Sequence, residues 1–487
     1  MSDALRQARL DKLSTLRGMG IDAYPARIPD SEAIGPINER FDGLENEEHS
    51  GYVATLSGRL MAHRGMGKAS FLDLLDGTGK IQAYAALDKL GEAYALLSHI
   101  DVGDFISVTG EVFRTKRGQL SIAADTLVLL SKSIRPLPEK WHGLKDIEIR
   151  YRHRALDLIS NDAVRETFIM RSRILSNIRR TLDDAGFLEV ETPVLLSIAS
   201  GGHARPFETH HNALDIDMYL RIALELYLKR VMIGGIDRVY EMGKCFRNEG
   251  TSTEHNPEFT MLEIYQAYTD VKGMMALAER IVTETLQATT GSLNVEFDGK
   301  MIDFTAPWPR IKMADAVAAA LEIDPAVLRT DEALRVAAER GIEPIPTTPG
   351  DAVNALFERF VEGTLIQPTF ITDYPIEISP LAKRSPEDEN IVERFELFVA
   401  GMELANAFTE LNDPIDQRAR FDAQEKLREG GDEEAQRIDE DFLFAIEHGM
   451  PPAGGMGIGV DRLVMLITGS TSIRDVILFP TVRRKEE

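Results

Sequence analysis

Residues 241–263, EMGKCFRNEGTSTEHNPEFTMLE, constrain this chain more than any other stretch. Arg247, Glu249, His255, Glu258 and Glu263 crowd around a glycine-containing loop, with Val239 and Tyr240 before it and Phe259, Met261 and Ile264 after it. Apolar residues on both sides of a polar loop predict strand, loop, strand. An arginine among apolar strand residues is costly unless it meets an anion. A second element far downstream supplies a partner. In AGGMGIGVDRLVMLITGSTSIRDVILFP, residues 453–480, Gly454, Gly455, Gly457 and Gly459 lead into a helix beginning near Val460. Arg462 falls in its first turn, and Leu463, Val464, Leu466 and Ile467 give it an apolar face. A cation there opposes the positive end of the helix dipole, which makes sense if it holds phosphate. The G-x-G-x-G spacing is not followed by the strand–loop–helix–strand unit of a dinucleotide site, and no G-x-x-x-x-G-K-[ST] loop occurs.

The N-terminal part has a different pattern. Residues 51–87 and 104–130 alternate apolar and polar positions in short runs separated by glycine turns. Five short strands with a helix after the third predict a small OB-type β-barrel, a fold that binds single-stranded nucleic acid by stacking bases on exposed aromatics. Phe71 stands mid-strand beside Ser70, and Gln82 alternates with Ile81 and Ala83. The boundaries expected are a helical extension over 1–50, the barrel over 51–133, a linker over 134–165 marked by IRPLPEKWHGL, and a larger domain over 166–487. That domain shows no parallel βαβ rhythm, so an α+β arrangement with an antiparallel sheet flanked by helices fits. Two helices are expected over 145–186, the second ending at Gly186, and a mainly helical insertion over about 267–370.

The net charge of −24 argues against nucleic-acid binding until its distribution is considered. Residues 1–150 hold 19 basic and 21 acidic side chains, so nearly all the excess acid lies beyond them. A local strip such as Arg114, Lys116 and Arg117 can still meet RNA, because surface fields are felt mostly within about 8–10 Å. No apolar run approaches membrane-spanning length, and the first residues read as a charged helix rather than a leader. A single cysteine, Cys245, excludes an internal disulfide and suits a cytoplasmic protein; with no base beside it, it reads as packing rather than a nucleophile.

These elements together resemble the class II aminoacyl-tRNA synthetases, and within them the lysyl branch. Residues 241–263 are similar to that family's second motif, 453–480 to its third, and GFLEVETPVLL (186–196) to its first, including Pro193. Residues 201–230 and 394–421 resemble the lysyl branch's own pocket segments. The resemblance implies ATP-dependent activation of L-lysine and transfer to tRNA(Lys), by a homodimer whose interface includes Pro193. It implies that Arg247 holds the α-phosphate and the substrate carboxylate, that Arg462 grips the γ-phosphate and covers the adenine, and that Phe259 stacks on the other adenine face. Glu249, His255 and Asn256 would bind the nucleotide in the same loop. Arg59, Phe71 and Gln82 would face the anticodon.

Glu396 and Glu403 are seven apart, a spacing that fits two helical turns or the two ends of a bent strand segment. Two acids beside Phe395, Leu397, Phe398 and Val399 also fit a solvated face; the resemblance implies that they hold Mg²⁺. Glu225, Glu263 and Glu410 suit a cationic substrate, because a neutral one would leave buried charges unpaired at a cost on the order of 10⁴-fold in selectivity. The resemblance implies that Glu225 takes the α-amino group and that Glu263 and Glu410 take the ε-ammonium, with Gly201, Tyr265, Asn406 and Phe408 shaping the pocket. An aspartate pocket would need bases where these acids stand. A lysine ligase acting on a protein acceptor would lack the barrel, and a non-catalytic paralogue would not need all of Arg247, Arg462, Glu396 and Glu403. One departure stands out: Glu254 occupies the position before His-Asn-Pro-Glu-Phe where the family usually has arginine.

Overall fold

The structure is a computed structural model that describes residues 2–138, 146–199, 201–202, 204–430 and 437–483. It divides into two compact units, Met1–Leu144 and Lys145–Glu487. From position 139 onward the expected proline-marked hinge at 134–144 lies outside the described residues.

In the first unit the strands His49–Met66, Ala69–Leu75, Lys80–Ala86, Phe105–Arg114 and Leu120–Ser131 close a barrel. The third strand is followed by helical turns over Leu87–Leu90 and Gly91–Ser98, as the pattern predicts. The period of two places Leu56, Leu60, Leu72, Leu74, Ile81, Val108 and Ile122 inside and their neighbours outside. The helices Ser2–Gly18 and Ile34–Arg40 add Leu13, Leu16, Ile34 and Ile37 to the same hydrophobic cluster.

The second unit is built on an eight-stranded sheet. Its strands follow the order Arg310–Lys312, Thr369–Pro375, Ile391–Val399, Met402–Thr409, Ala453–Gly459, Glu258–Ala267, Arg238–Phe246, Leu188–Glu189. The interior pairings are antiparallel, and only the two outermost pairs are parallel. The helix Asp162–Asp184 buries Ile174, Ile178 and Leu182 against the helix Val271–Thr290 and the sheet. Each fully buried side chain of this size contributes about 1.5–3 kcal/mol. Gly186 turns the chain with φ +79°, a conformation that costs a glycine little. Among the described residues no helix is long and apolar enough to cross a membrane.

Three expectations change. Residues 147–184 form three helices, not two: His153 and Asn161 leave helical geometry between Ile147–Arg152, Arg154–Ser160 and Asp162–Asp184. Arg154 explains the first break, since its buried guanidinium bonds Asp157 and the carbonyls of Leu478 and Arg474. The expected linker over 134–165 therefore runs well into the second unit. The insertion is also narrower than 267–370, because Met274, Ile281 and Leu286 of the helix Val271–Thr290 belong to the main core. The separate helical cluster comprises Met313–Leu321, Glu332–Glu339 and Pro349–Phe360, packed around Val317, Val336 and Leu356. The helix expected near Val460 runs over Val460–Thr468, and the glycine run leading into it is a strand in the interior of the sheet, with Gly459 at the helix N-cap.

Candidate active site

A cavity of about 920 Å³ opens on the face of the sheet in the second unit. One wall is the hairpin Arg238–Phe246/Glu258–Ala267, whose register pairs Cys245 with Phe259 and Phe246 with Glu258. Arg247 follows the first strand, and its N–H donates to Pro257 O at 2.9 Å, closing the loop. Its guanidinium lies 5.2 Å from the Phe259 ring centre, and its Nε is buried without a hydrogen-bond partner among the described residues. A cation held in this way lacks an anion. Arg462 approaches across the cavity, with its guanidinium 2.5 Å from Glu403 O, 3.6 Å from the Glu403 carboxylate and 3.3 Å from His255 Nε2. Burial and Arg462 hold the His255 imidazole below its ordinary pKa, so the ring is neutral near pH 7. Ser252 Oγ lies 3.0 Å from His255 Nδ1 and accepts from Glu254 N at 3.1 Å, which shapes the turn carrying Glu254.

Asn256 lines the cavity, but its carboxamide is already engaged: Nδ2 donates to Glu258 O at 2.6 Å and Oδ1 accepts from Thr481 N at 3.3 Å. It anchors the loop. Glu249 lines the rim, exposed. Cys245 is buried and its thiol is pushed up to about 12, first by burial, in keeping with a packing role.

Glu396 and Glu403 lie on the hairpin Ile391–Val399/Met402–Thr409, so of the two spacings only the bent strand pair survives. Both line the cavity. Burial, then Glu403, pushes the Glu396 carboxyl up, while Arg394 at 2.6 Å and the Tyr374 hydroxyl at 2.8 Å hold its two oxygens. Among the described residues no group of three or more His, Cys, Asp or Glu could hold a metal ion. Any ion there would take its remaining ligands from elsewhere, as Mg²⁺ does from phosphates.

Further along the sheet, Gly201, Glu225, Glu263, Tyr265, Asn406 and Phe408 line the same cavity. Glu263 accepts from Leu224 N at 2.9 Å and from the Tyr265 hydroxyl at 2.9 Å. Burial, then Glu225, still pushes its carboxyl up to about 7. Asn406 is oriented by Arg394, whose Nε donates to its Oδ1 at 3.1 Å. Glu410 is 0% exposed and sits behind the wall, with its Oε2 in contact with Lys229. The other oxygen, Oε1, has no hydrogen-bond partner among the described residues.

On the barrel, Phe71 and Gln82 share the outer face. Phe71 is 5.3 Å from Tyr84, Tyr84 is 6.4 Å from Phe113, and His49 stacks on Phe113 at 5.2 Å. Arg59 pairs with Leu75, four positions along the strand from Phe71, or about 13 Å. It covers Phe105 at 4.2 Å and donates to Gly103 O at 3.1 Å, so the structure does not bring it beside the other two. Of the basic strip, Lys116 and Arg117 are exposed, whereas Arg114 ties down its own turn through Gly118 O and Asp42 O.

A family model described as tRNA synthetases class II (D, K and N) matches residues 146–483. The chain belongs to this family. A second model, an OB-fold nucleic acid binding domain, matches residues 54–130 of the synthetase. The synthetase is 55% identical over 486 residues to a lysine–tRNA ligase of Moorella thermoacetica, covering 99% of this chain and 98% of the relative. It is 52% identical to one of Syntrophomonas wolfei over 482 residues (98% and 97% covered) and 51% identical to one of Bacillus subtilis over 484 residues (98% and 97% covered).

Sequence reasoning missed several residues of the synthetase's cavity. Arg394 and Tyr374 hold Glu396, and Asp351, Asn354, Glu358 and Glu362 reach the cavity from the helical cluster. It missed Lys229 too, although the Glu225-x-x-x-Lys229 spacing on a helix is a readable signal.

Proposed function

We propose that this synthetase is a lysine–tRNA ligase: it activates L-lysine with ATP to lysyl-adenylate and transfers the lysyl group to the 3′ end of tRNA(Lys). The observation that carries this is the acidic pocket, in which Glu225 and Glu263 line the same cavity as Arg247 and Arg462. The substrate carboxylate is the nucleophile at the α-phosphate, so the protein supplies position and charge rather than a nucleophile. The buried Nε of Arg247, without a partner among the described residues, supports a role for this guanidinium towards carboxylate and α-phosphate. Arg462, across the cavity, would take the outer phosphates, and Phe259 would cover the adenine. Glu249 and the neutral His255 would complete the nucleotide contacts, with Asn256 holding their loop.

The ε-ammonium of lysine suits Glu263, backed by the charge of Glu410 behind the wall, and its α-ammonium suits Glu225, within walls formed by Gly201, Tyr265, Asn406 and Phe408. Glu396 and Glu403 fit a hard cation, since two carboxylates are crowded there at a cost that a positive ion relieves. When bound, Mg²⁺ would neutralise phosphate charge. Phe71 and Gln82 offer a stacking surface and a hydrogen-bonding edge for an anticodon base, with Arg59 at the end of the same face. Leu188, Val194 and Leu195, exposed around Pro193, fit burial in a homodimer. A cytoplasmic site of action agrees with this role.

Charging of tRNA(Lys) with lysine, ATP and Mg²⁺ tests the proposal. Lysyl-tRNA should form, and Phe71→Ala should raise the KM for tRNA by roughly 5- to 150-fold, the equivalent of about 1–3 kcal/mol of base stacking, while leaving pyrophosphate exchange intact. Lysyl-adenylate without tRNA charging would favour a protein acceptor instead.

A further inference from the structure

The pocket contains a buried cation that the proposed chemistry leaves without a task. Lys229 lies four residues after Glu225 on the helix Glu225–Ile233, and its side chain is 0% exposed. Its Nζ is 2.6 Å from Glu225 Oε1 and in direct contact with Glu410 Oε2. The rings of Tyr265, Phe408 and Phe442 surround it at 5.3–5.9 Å. Burial works against the charged ammonium, but Glu225 and Glu410 outweigh it and raise the pKa. Fully buried lysines occur almost only when paired, so a solvated helix face does not account for this one.

Two carboxylates, Glu225 and Glu410, meet this ammonium, and a third, Glu263, feels its charge. A bound lysine would bring two more ammonium groups, and only then do cations and anions balance. The placement matters as much as the number. Lys229 joins the acid suited to the α-ammonium to an acid suited to the ε-ammonium, and it comes from the helix whose preceding residue, Leu224, donates its N–H to Glu263. One short helix thus organises all three carboxylates.

We infer that Lys229 is a positioning residue for amino-acid recognition, fixing the carboxylate of Glu225 on the cavity wall and that of Glu410 behind it so that both act on the substrate's ammonium groups. This rests on the lysine-ligase reading above. Without Lys229, three carboxylates would crowd one site with Glu410 fully buried among them, and at least one would take up a proton. A protonated carboxyl has no charge to pair with an ammonium, so lysine would have to displace the proton to bind at full strength. Burial, with Glu225 adding to it, pushes the Glu410 carboxyl up to about 8 even against the pull of Lys229, which places Glu410 first in line.

The test is calorimetric titration of the full-length protein with L-lysine, without ATP, from about pH 6 to about pH 8.5. For Lys229→Met the affinity should fall at least tenfold near pH 7, and the gap from wild type should close as the pH rises, by up to about tenfold per unit while one proton is displaced. The midpoint of the pH dependence should move up by one unit or more. Lys229→Arg, which keeps the charge, should keep the wild-type midpoint. The double variant Lys229→Met/Glu410→Gln, which has no unpaired acid at that point, should return to it even if the single variant folds poorly. A gap that is constant across the pH range, or a double variant that keeps the shifted midpoint, would overturn the inference. Wild-type protein that fails to bind lysine at all would overturn the ligase reading first, and the inference with it.

Discussion

Replacing Gly455 by alanine puts a methyl group where the structure has no room for one. Gly455 lies on the strand Ala453–Gly459, paired on one side with Tyr265 and on the other with Phe408. A Cβ there would stand 1.9 Å from Glu410 Oε1 and 2.5 Å from the Tyr265 ring. The backbone is held on both sides and cannot retreat, so the side chains must. Overpacking of this kind costs about 1–3 kcal/mol. If Glu410 is forced off Lys229, a buried ion pair breaks at about 3–5 kcal/mol. Both costs arise from the same displacement and do not add, so the loss should lie within about 3–5 kcal/mol. The lysine pocket absorbs the damage, and affinity for lysine should fall at least ~100-fold, since each 1.4 kcal/mol is tenfold. Gly457→Ala on the same strand is the stability control, because its Cβ would meet nothing closer than 3.8 Å. Thermal unfolding and lysine titration of both variants check this. A Gly455→Ala protein that melts with wild type and binds lysine within about threefold of it, far short of a ~100-fold loss, would refute the packing of this pocket.

Three further outcomes follow from individual side chains. The Glu263 carboxyl, pushed up to about 7, is protonated below that pH, and only its ionised form pairs by charge with an ammonium; lysine affinity should therefore fall as the pH drops through about 7, and Glu263→Gln should bind weakly with that dependence gone. Glu254 adds its negative charge to those of Glu358 and Glu403 around Glu362, whose carboxyl is pushed up to about 7, first by burial. Glu254→Arg should therefore leave activity intact or raise it, with a lower KM for ATP, and a large loss would show that the loop has been rewired. Cys245, buried with its thiol pushed up to about 12, should resist iodoacetamide in the folded protein, and pyrophosphate exchange should survive the treatment.

The elements that carry their own period were legible in the sequence. Alternation at Leu72, Leu74, Ile81 and Ala83 marks the barrel strands, and spacing at Ile174, Ile178 and Leu182 marks the long helix, because in each case one face must be buried. The helix Val271–Thr290 carries the same period, but periodicity does not say which surface a helix covers, so the sequence alone does not separate it from the insertion. The strand character of Ala453–Gly459 was hidden, since glycine has poor strand propensity and only tertiary neighbours, Met274 and Thr269 at Gly454 and Glu410 and Tyr265 at Gly455, explain why nothing larger stands there. In the cavity, arginines and acids on the two motif segments were legible because such charges are costly among apolar residues. Arg394 and Tyr374 were not, and of Lys229 only the helical spacing from Glu225 was readable, because the other partners are brought near only by sheet register and helix packing.

The measurement that tests the account most directly is amino-acid-dependent pyrophosphate exchange by the full-length protein, comparing lysine with aspartate and asparagine. The buried carboxylates predict exchange with lysine and none with aspartate, on the order of 10⁴-fold selectivity or more. Exchange supported by aspartate or asparagine, or by no amino acid at all, would contradict the assignment of Glu225, Glu263 and Glu410 to a cationic substrate.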